Sequence, residues 1–170
     1  MTFTADSVIV VAGVPGAGKT TLIRRAVDRE AVRVVDTEDR RDAGRRRLLY
    51  PGHYARIAAA IAGTGPVVIH SRGTFAVSRR AIALLARLRG RPAHLILLDA
   101  DRAEAEQGQR ARGRTVDATE MSRQLARWRR LRPAGEGWTS IVRLDREQAA
   151  RTDAIEFIPA VSRAAAPATI

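Results

Sequence analysis

Gly13-Val14-Pro15-Gly16-Ala17-Gly18-Lys19-Thr20 is the stretch from which the rest of the chain is read. Before it, Ser7-Val8-Ile9-Val10-Val11 is a β-branched run that reads as a buried central strand. After it, Thr20 to Arg29 places Ile23, Ala26 and Val27 on one face of a helix. A glycine loop between a strand and a helix has a physical use. Glycines let the loop curl so that successive backbone N–H groups point inward as an anion nest, and the helix amino terminus adds partial positive charge. Lys19 is then set to reach the β- and γ-phosphates of a nucleoside triphosphate, and the Thr20 hydroxyl to ligate Mg²⁺, with Thr21 next in line at the phosphate end. The competing reading is a glycine-rich turn with a chance lysine. Against it, Lys19 is the only lysine among 30 basic residues, at a position where an arginine does not easily replace a compact ammonium.

Outward from the loop, strands alternate with helices. Val32 to Val35 reads as a second strand ending at Asp36, and Asp39 to Arg47 as a solvated turn or helix surface of mixed charge. Tyr54, Ile57 and Ile61 recur at helical spacing from His53 to Ala62, and Gly63-Thr64-Gly65-Pro66 closes that element. Val67 to Ile69 is a third strand, running into His70, followed by a helix in which Val77, Ala81, Leu84 and Leu88 share a face until Gly90. His94 to Leu98 is a fourth strand ending at Asp99, and Asp101 to Arg114 begins as a helix and runs into Arg110-Ala111-Arg112-Gly113-Arg114. Met121, Leu125 and Trp128 then form an apolar stripe opposite a basic one of Arg123, Arg127 and Arg130, and Ser140 to Leu144 is a fifth strand. Such alternation predicts an α/β fold, a three-layer sandwich around a parallel sheet. Ligands of open sheets sit beyond the carboxyl ends of the strands, the edge to which this reading assigns the glycine loop, Asp36, His70 and Asp99.

At 170 residues, 45% hydrophobic and 28% charged, the chain has the balance of one globular domain, with no apolar run near the length of a membrane span. Cysteine is absent, which excludes disulfides and thiolate metal sites, and no basic region precedes Val8 to Ala12, so no secretory signal and a cytoplasmic location are expected. A formal charge of +12 invites a polynucleotide partner. The heavy use of arginine and alanine points instead to GC-rich coding, and aromatic residues, at 4%, leave few platforms for stacking bases. Both readings of the charge stay open.

The motifs resemble the P-loop kinase group of the AAA-type ATP-binding families, which includes polynucleotide-kinase-like, gluconate and shikimate kinase-like and zeta-toxin-like proteins. The resemblance runs from Ser7 to Asp145 and rests on the glycine loop, on Asp36-Thr37-Glu38-Asp39-Arg40, and on Leu97-Leu98-Asp99-Ala100-Asp101 with the arginine-bearing segment after it. It implies strand order 2-3-1-4-5, ATP with Mg²⁺, and a kinase-like domain over residues 1–158. The segment around 101–118 looks like the family's lid, in which Arg110 would contact ATP and Arg112 and Arg114 would stabilise the transferring phosphoryl group. Residues 159–170 read as a loosely held tail.

One position departs from the pattern. Many relatives end the third strand in a metal-holding aspartate, where this chain has His70. Imidazole is a poor Mg²⁺ ligand, so metal binding is expected of Thr20 and Asp36. Asp36 is also the candidate general base, its bland alternative being a cap for the next helix. His70 is a substrate contact or base on one reading and a hydrogen-bonded structural residue on the other; Glu38, Arg40 and Arg41 face the acceptor or plain water. The expectation is an ATP-dependent phosphotransferase with an unidentified hydroxyl acceptor, a small molecule favoured over nucleic acid and no membrane partner. Two alternatives stand beside it, a polynucleotide 5′-hydroxyl kinase tracking its substrate along Arg123, Arg127 and Arg130, and a slow ATPase acting as a switch. The asparagine-lysine-x-aspartate motif of GTPases is absent, which favours ATP.

Overall fold

In the computed structural model, the run Val8-Ile9-Val10-Val11 is completely buried and lies at the centre of the molecule. Burial of each such side chain contributes about 1.5 to 3 kcal/mol, enough to make this strand the anchor of the sheet. The structure describes residues 1–36, 46–111, 113 and 116–159, the side chains of 46–51 excepted. Glu38, Asp39, Arg40, Arg41, Arg112, Arg114 and residues 160–170 of the tail lie outside the described residues.

Seven strands and six helices are described, in the order β1 (Thr2–Thr4), β2 (Val8–Gly13), α1 (Lys19–Ala26), β3 (Arg33–Val35), α2 (Arg46–Ala62), β4 (Val67–Ser71), α3 (Ala76–Leu88), β5 (Ala93–Leu98), α4 (Arg102–Arg110), α5 (Ala118–Arg129), β6 (Ser140–Leu144), α6 (Arg146–Arg151) and β7 (Glu156–Ile158). Five strands form one parallel sheet ordered β3-β4-β2-β5-β6. Counted from the loop-bearing strand, that is the expected 2-3-1-4-5. The sequence reading missed the pair β1 and β7, a separate parallel ribbon that joins the two ends of the described chain.

Right-handed crossovers decide which face each helix covers. The step from β2 to β3 runs one way along the sheet, and those from β3 to β4 and β4 to β5 run the other. So α1 lies on one face, and α2 and α3 share the opposite face, where they pack together. Arg25 of α1 donates to the Ala149 and Thr152 carbonyls, the latter at 2.9 Å, tying α6 to α1. No helix among the described residues is long and apolar enough to cross a membrane.

Two helix faces differ from expectation. Tyr54 is 41% exposed while Ile57 and Ile61 are buried, so α2 turns Tyr54 away from the face it was grouped with. In α3 the inversion is complete. Ile82, Ala83 and Ala86 go inward with Arg79, and Val77, Leu84 and Leu88 go outward. The helix has apolar residues at helical spacing on two faces, and an arginine on one of them made the other look like the core. That arginine is buried because Glu136 meets it.

Candidate nucleotide and acceptor site

Gly13 ends β2 and Lys19 begins α1, so the whole glycine loop spans only five residues at the carboxyl edge of the central strand. Gly18 caps α1 with φ 92 and no side-chain hydrogen bond, and the first turn carries no acidic residue. The amino-terminal turn of α1, with its partial positive charge, therefore opens directly at the end of the glycine loop. Lys19 is 8% exposed, and its Nζ donates to the carbonyls of Gly13 at 2.8 Å and Val14 at 3.0 Å. These bonds hold the ammonium inside the curl of the loop. Thr20 and Thr21 follow in the first turn of α1.

The crown of the loop touches α4. Gly16 has φ +87, and a Cβ there would stand 2.0 Å from the Ala105 carbonyl oxygen; a Cβ on Gly108 would stand 2.2 Å from the Gly16 oxygen. Only glycine at both positions lets the two backbones meet. The helix is held for this contact by a reciprocal cap, in which Glu104 N donates to Asp101 Oδ1 at 2.8 Å and Asp101 N to Glu104 Oε2 at 2.9 Å. Beside the contact opens a cavity of about 370 Å³, within the size range of small-ligand pockets. Its walls come from the loop, from Thr21, Leu22 and Arg25 of α1, from Gly108 and Ala111 at the end of α4, and from Arg146 and Ala149 of α6. Arg146 Nη1 donates to the Glu104 carbonyl at 3.4 Å, spanning α6 and α4 at its mouth.

On the far side of the loop, β3 and β4 run in parallel with Val35 opposite Ile69, so the next residue of each, Asp36 and His70, emerge side by side. His70 Nδ1 and Asp36 Oδ1 are 2.7 Å apart, with side-chain exposures of 3% and 15%. An ionised Asp36 accepts from Nδ1–H, and the ring then presents Nε2 as an acceptor. His70 is also in register with Val11 of β2, which places it between Asp36 and the loop-bearing strand. His53 of α2 joins this group. Burial pulls its imidazole below the usual value, Arg56 and His70 push the same way and Asp36 opposes them. Its Nδ1 is out of water with no hydrogen-bond partner among the described residues.

The turn after His70 is fixed from below. Arg79 donates through Nε and Nη2 to the two Glu136 oxygens at 2.8 and 2.5 Å, and through Nη1 to the Gly73 carbonyl at 2.5 Å. Trp138 Nε1 adds a bond to Glu136 at 3.2 Å. Burial alone would raise the Glu136 carboxyl; the bonds from Arg79 and Trp138 outweigh it and leave the group below the ordinary carboxylate range. Gly73 has φ +62 and would place a Cβ 2.3 Å from that of Ala12, so this turn leans on the loop-bearing strand itself.

The profile of the AAA domain family matches residues 8–132, from the first residue of β2 to the end of the segment after α5. The chain belongs to this family. Several solved structures share the fold. A gluconokinase from Sinorhizobium meliloti 1021 superposes with TM-score 0.66 at 18% identity, over 89% of this chain and 91% of that one. Kti12 from Chaetomium thermophilum, solved in complex with ADP-AlF3, gives 0.61 at 17% identity over 85% and 94%. A chain of the PezAT chromosomal toxin-antitoxin system of Streptococcus pneumoniae gives 0.63 at 13% identity over 86% and 70%. No curated protein matches the sequence significantly.

The chain is thus an AAA domain protein that shares the fold of these structures. Gly13, Val14, Pro15, Gly16, Ala17, Gly18, Lys19, Thr20 and Thr21 stand together at the carboxyl edge of β2. Asp36 stands at the end of β3, two strands from β2, joined to His70 on the intervening β4. Arg110 is exposed at the end of α4, next to Ala111 of the cavity wall. Asp99 is structural: its Oδ1 accepts from Trp128 Nε1 at 2.7 Å and Arg143 Nη1 at 2.8 Å, fastening α5 and β6 to the end of β5. Sequence reasoning missed Arg25, Arg146, His53 and the pair Arg79 and Glu136. Arg146 had a signal, since it follows the end of the fifth strand and so falls on the ligand edge. The others had none, because their partners are distant in sequence.

Proposed function

We propose that this protein transfers the γ-phosphoryl group of ATP to a hydroxyl acceptor bound over Asp36 and His70. The observation that carries the reading is the 2.7 Å bond between those two side chains, at the ends of the two strands that follow in order from the strand bearing the phosphate loop. A carboxylate held by a buried imidazole is oriented and kept from rotating, as a general base must be. In the proposed step the acceptor oxygen forms a bond to the γ-phosphorus while its proton passes to Asp36. The bond from that phosphorus to the β–γ bridging oxygen breaks, and ADP departs with the electron pair.

The remaining residues take supporting roles. Backbone N–H groups of residues 14–20 cradle the phosphates, and Lys19 exchanges its two carbonyl partners for phosphate oxygens. The nucleoside lies in the cavity between α1, α4 and α6, with Arg146 at its mouth. Mg²⁺ takes one or two protein oxygens and completes its shell with phosphate and water. Thr20 and Asp36 are the oxygens that would serve it, the second through water. When bound it neutralises charge on the β- and γ-phosphate oxygens. Arg110, with Arg112 and Arg114 beyond it in sequence, supplies guanidinium groups to the transferring phosphoryl group.

The test is ADP release from the full chain with Mg²⁺ and ATP, screened against sugars, nucleosides, antibiotics and oligonucleotides with hydroxyl ends. An acceptor that raises ADP release and becomes phosphorylated is the expected result. Tight ATP binding with no acceptor-stimulated release across all four classes would overturn the transfer reading in favour of a nucleotide-dependent switch.

A further inference from the structure

Helix α3 turns its larger aliphatic side chains to the solvent. Val77 is 80% exposed, Leu84 47% and Leu88 72%, and Phe75, just before the helix, is 58% exposed. With exposed Ala81 they make a continuous stripe, since separations of four, three and four residues return to one helical face. At about 1.5 Å per residue the stripe from 77 to 88 is roughly 16 Å long, three helical turns. Single exposed apolar residues are ordinary, but an aligned row is a docking feature.

The surroundings of that row have an unusual charge pattern. From Ala43 to Leu98 the chain carries ten arginines and not one aspartate or glutamate, so this run holds +10 of the formal +12. It supplies both helices, α2 and α3, that share one face of the sheet. Arg79 and Arg91 are buried on carboxylate and carbonyl partners. Arg56, Arg72, Arg80, Arg87 and Arg89 are exposed. Arg80 and Arg87, seven residues apart, flank the stripe on one side, and Arg127 of α5 lies over the Phe75 ring at 5.4 Å at its start.

We propose that the α3 face binds an acidic amphipathic helix of a protein partner, whose apolar stripe lies along Val77, Ala81, Leu84 and Leu88 and whose carboxylates meet Arg80 and Arg87. The mixture selects this occupant. A polynucleotide would answer the arginines but would leave three aliphatic side chains against phosphate and ribose. A second copy of this chain, packed by a two-fold axis through the stripe, would set one arginine row against the other, because an isologous contact repeats the same charges on both sides. A helix with leucines on one face and glutamates beside them satisfies both components, the helix-in-groove mode of recognition. The inference is independent of the phosphotransfer reading.

The experiment uses the full chain and a fluorescein-labelled synthetic helix of about 18 residues, with leucine at i, i+4, i+7 and i+11 and glutamate on the flanks. Anisotropy should show saturable binding that weakens about tenfold or more in Val77→Ser/Leu88→Ser, with its melting temperature unchanged, and, separately, in Arg80→Glu/Arg87→Glu, checked by circular dichroism to be folded at the assay temperature. The same helix with lysine for glutamate should not bind. Failure of the acidic helix to bind, or equal binding to wild type and Arg80→Glu/Arg87→Glu, would overturn the proposal. So would tighter binding of a polyuridine oligonucleotide or of phosphatidylglycerol vesicles. A concentration-dependent dimer that Val77→Ser/Leu88→Ser dissolves would make the occupant a second copy instead.

Discussion

Asp36 and His70 act as one hydrogen-bonded unit, and their two roles separate by substitution. Asp36→Asn keeps size and hydrogen-bonding reach but loses basicity, so turnover should fall by about two orders of magnitude while ATP affinity holds. On the proposed reading His70→Gln should cost less, because His70 would orient the carboxylate without taking the proton; a steady-state comparison of kcat and KM for both variants checks this. The reverse ranking would make His70 the base. Lys19→Ala removes a buried ammonium from the phosphates, and nucleotide affinity measured by calorimetry should weaken roughly 10- to 100-fold in a protein that still folds. The sequence made Lys19 legible because its motif is contiguous. It left Asp36 and His70 as separate candidates, because their bond depends on the register of two strands that meet only in the folded sheet.

At the scale of elements, the contact of α4 with the glycine loop ties the conformation of that helix to that of the loop. Gly108→Ala would press a methyl group against the Gly16 backbone, where overpacking costs about 1 to 3 kcal/mol. We expect a lower melting temperature together with weaker ATP binding. Gly52→Ala, on α2 with open space around it, should be neutral or slightly stabilising in the same two measurements. The five strands of the larger sheet were read well because each is a short run rich in aliphatic residues, and β6 came out at its observed bounds, whereas the three-residue β1 and β7 were missed. The helices α2 and α3 were read less well. Apolar spacing alone did not tell which face of α3 packs, since the deciding contact joins Arg79 to Glu136, in a loop 57 residues away.

Over the whole molecule, the buried His94, the half-buried His53 and the buried Glu136 set how the fold responds to acid. Burial pulls the His94 imidazole below its usual value, as it does His53, so the unfolded chain takes up these protons more readily than the folded one. Stability from this source is present above the ordinary imidazole range, about 6.5, and is lost as pH falls below it. Glu136, held below the carboxylate range, adds a second loss only in more acidic solution, as pH falls toward its folded value. Melting temperatures should therefore decline in two stages from pH 7.5 downward, and Glu136→Gln should be less stable at neutrality by about 3 to 5 kcal/mol and should lack the second stage. The ribbon of β1 and β7 also acts over the whole length. Thr2 is in register with Glu156, Phe3 with Phe157, and the Met1 amino group donates to the Ala154 carbonyl at 2.8 Å. On a ribosome adding about 5 to 20 residues per second, the amino-terminal strand emerges on the order of ten seconds before its partner has been made. Throughout that interval its edge stays unpaired, so the ribbon can close only after nearly all of the described chain has been made.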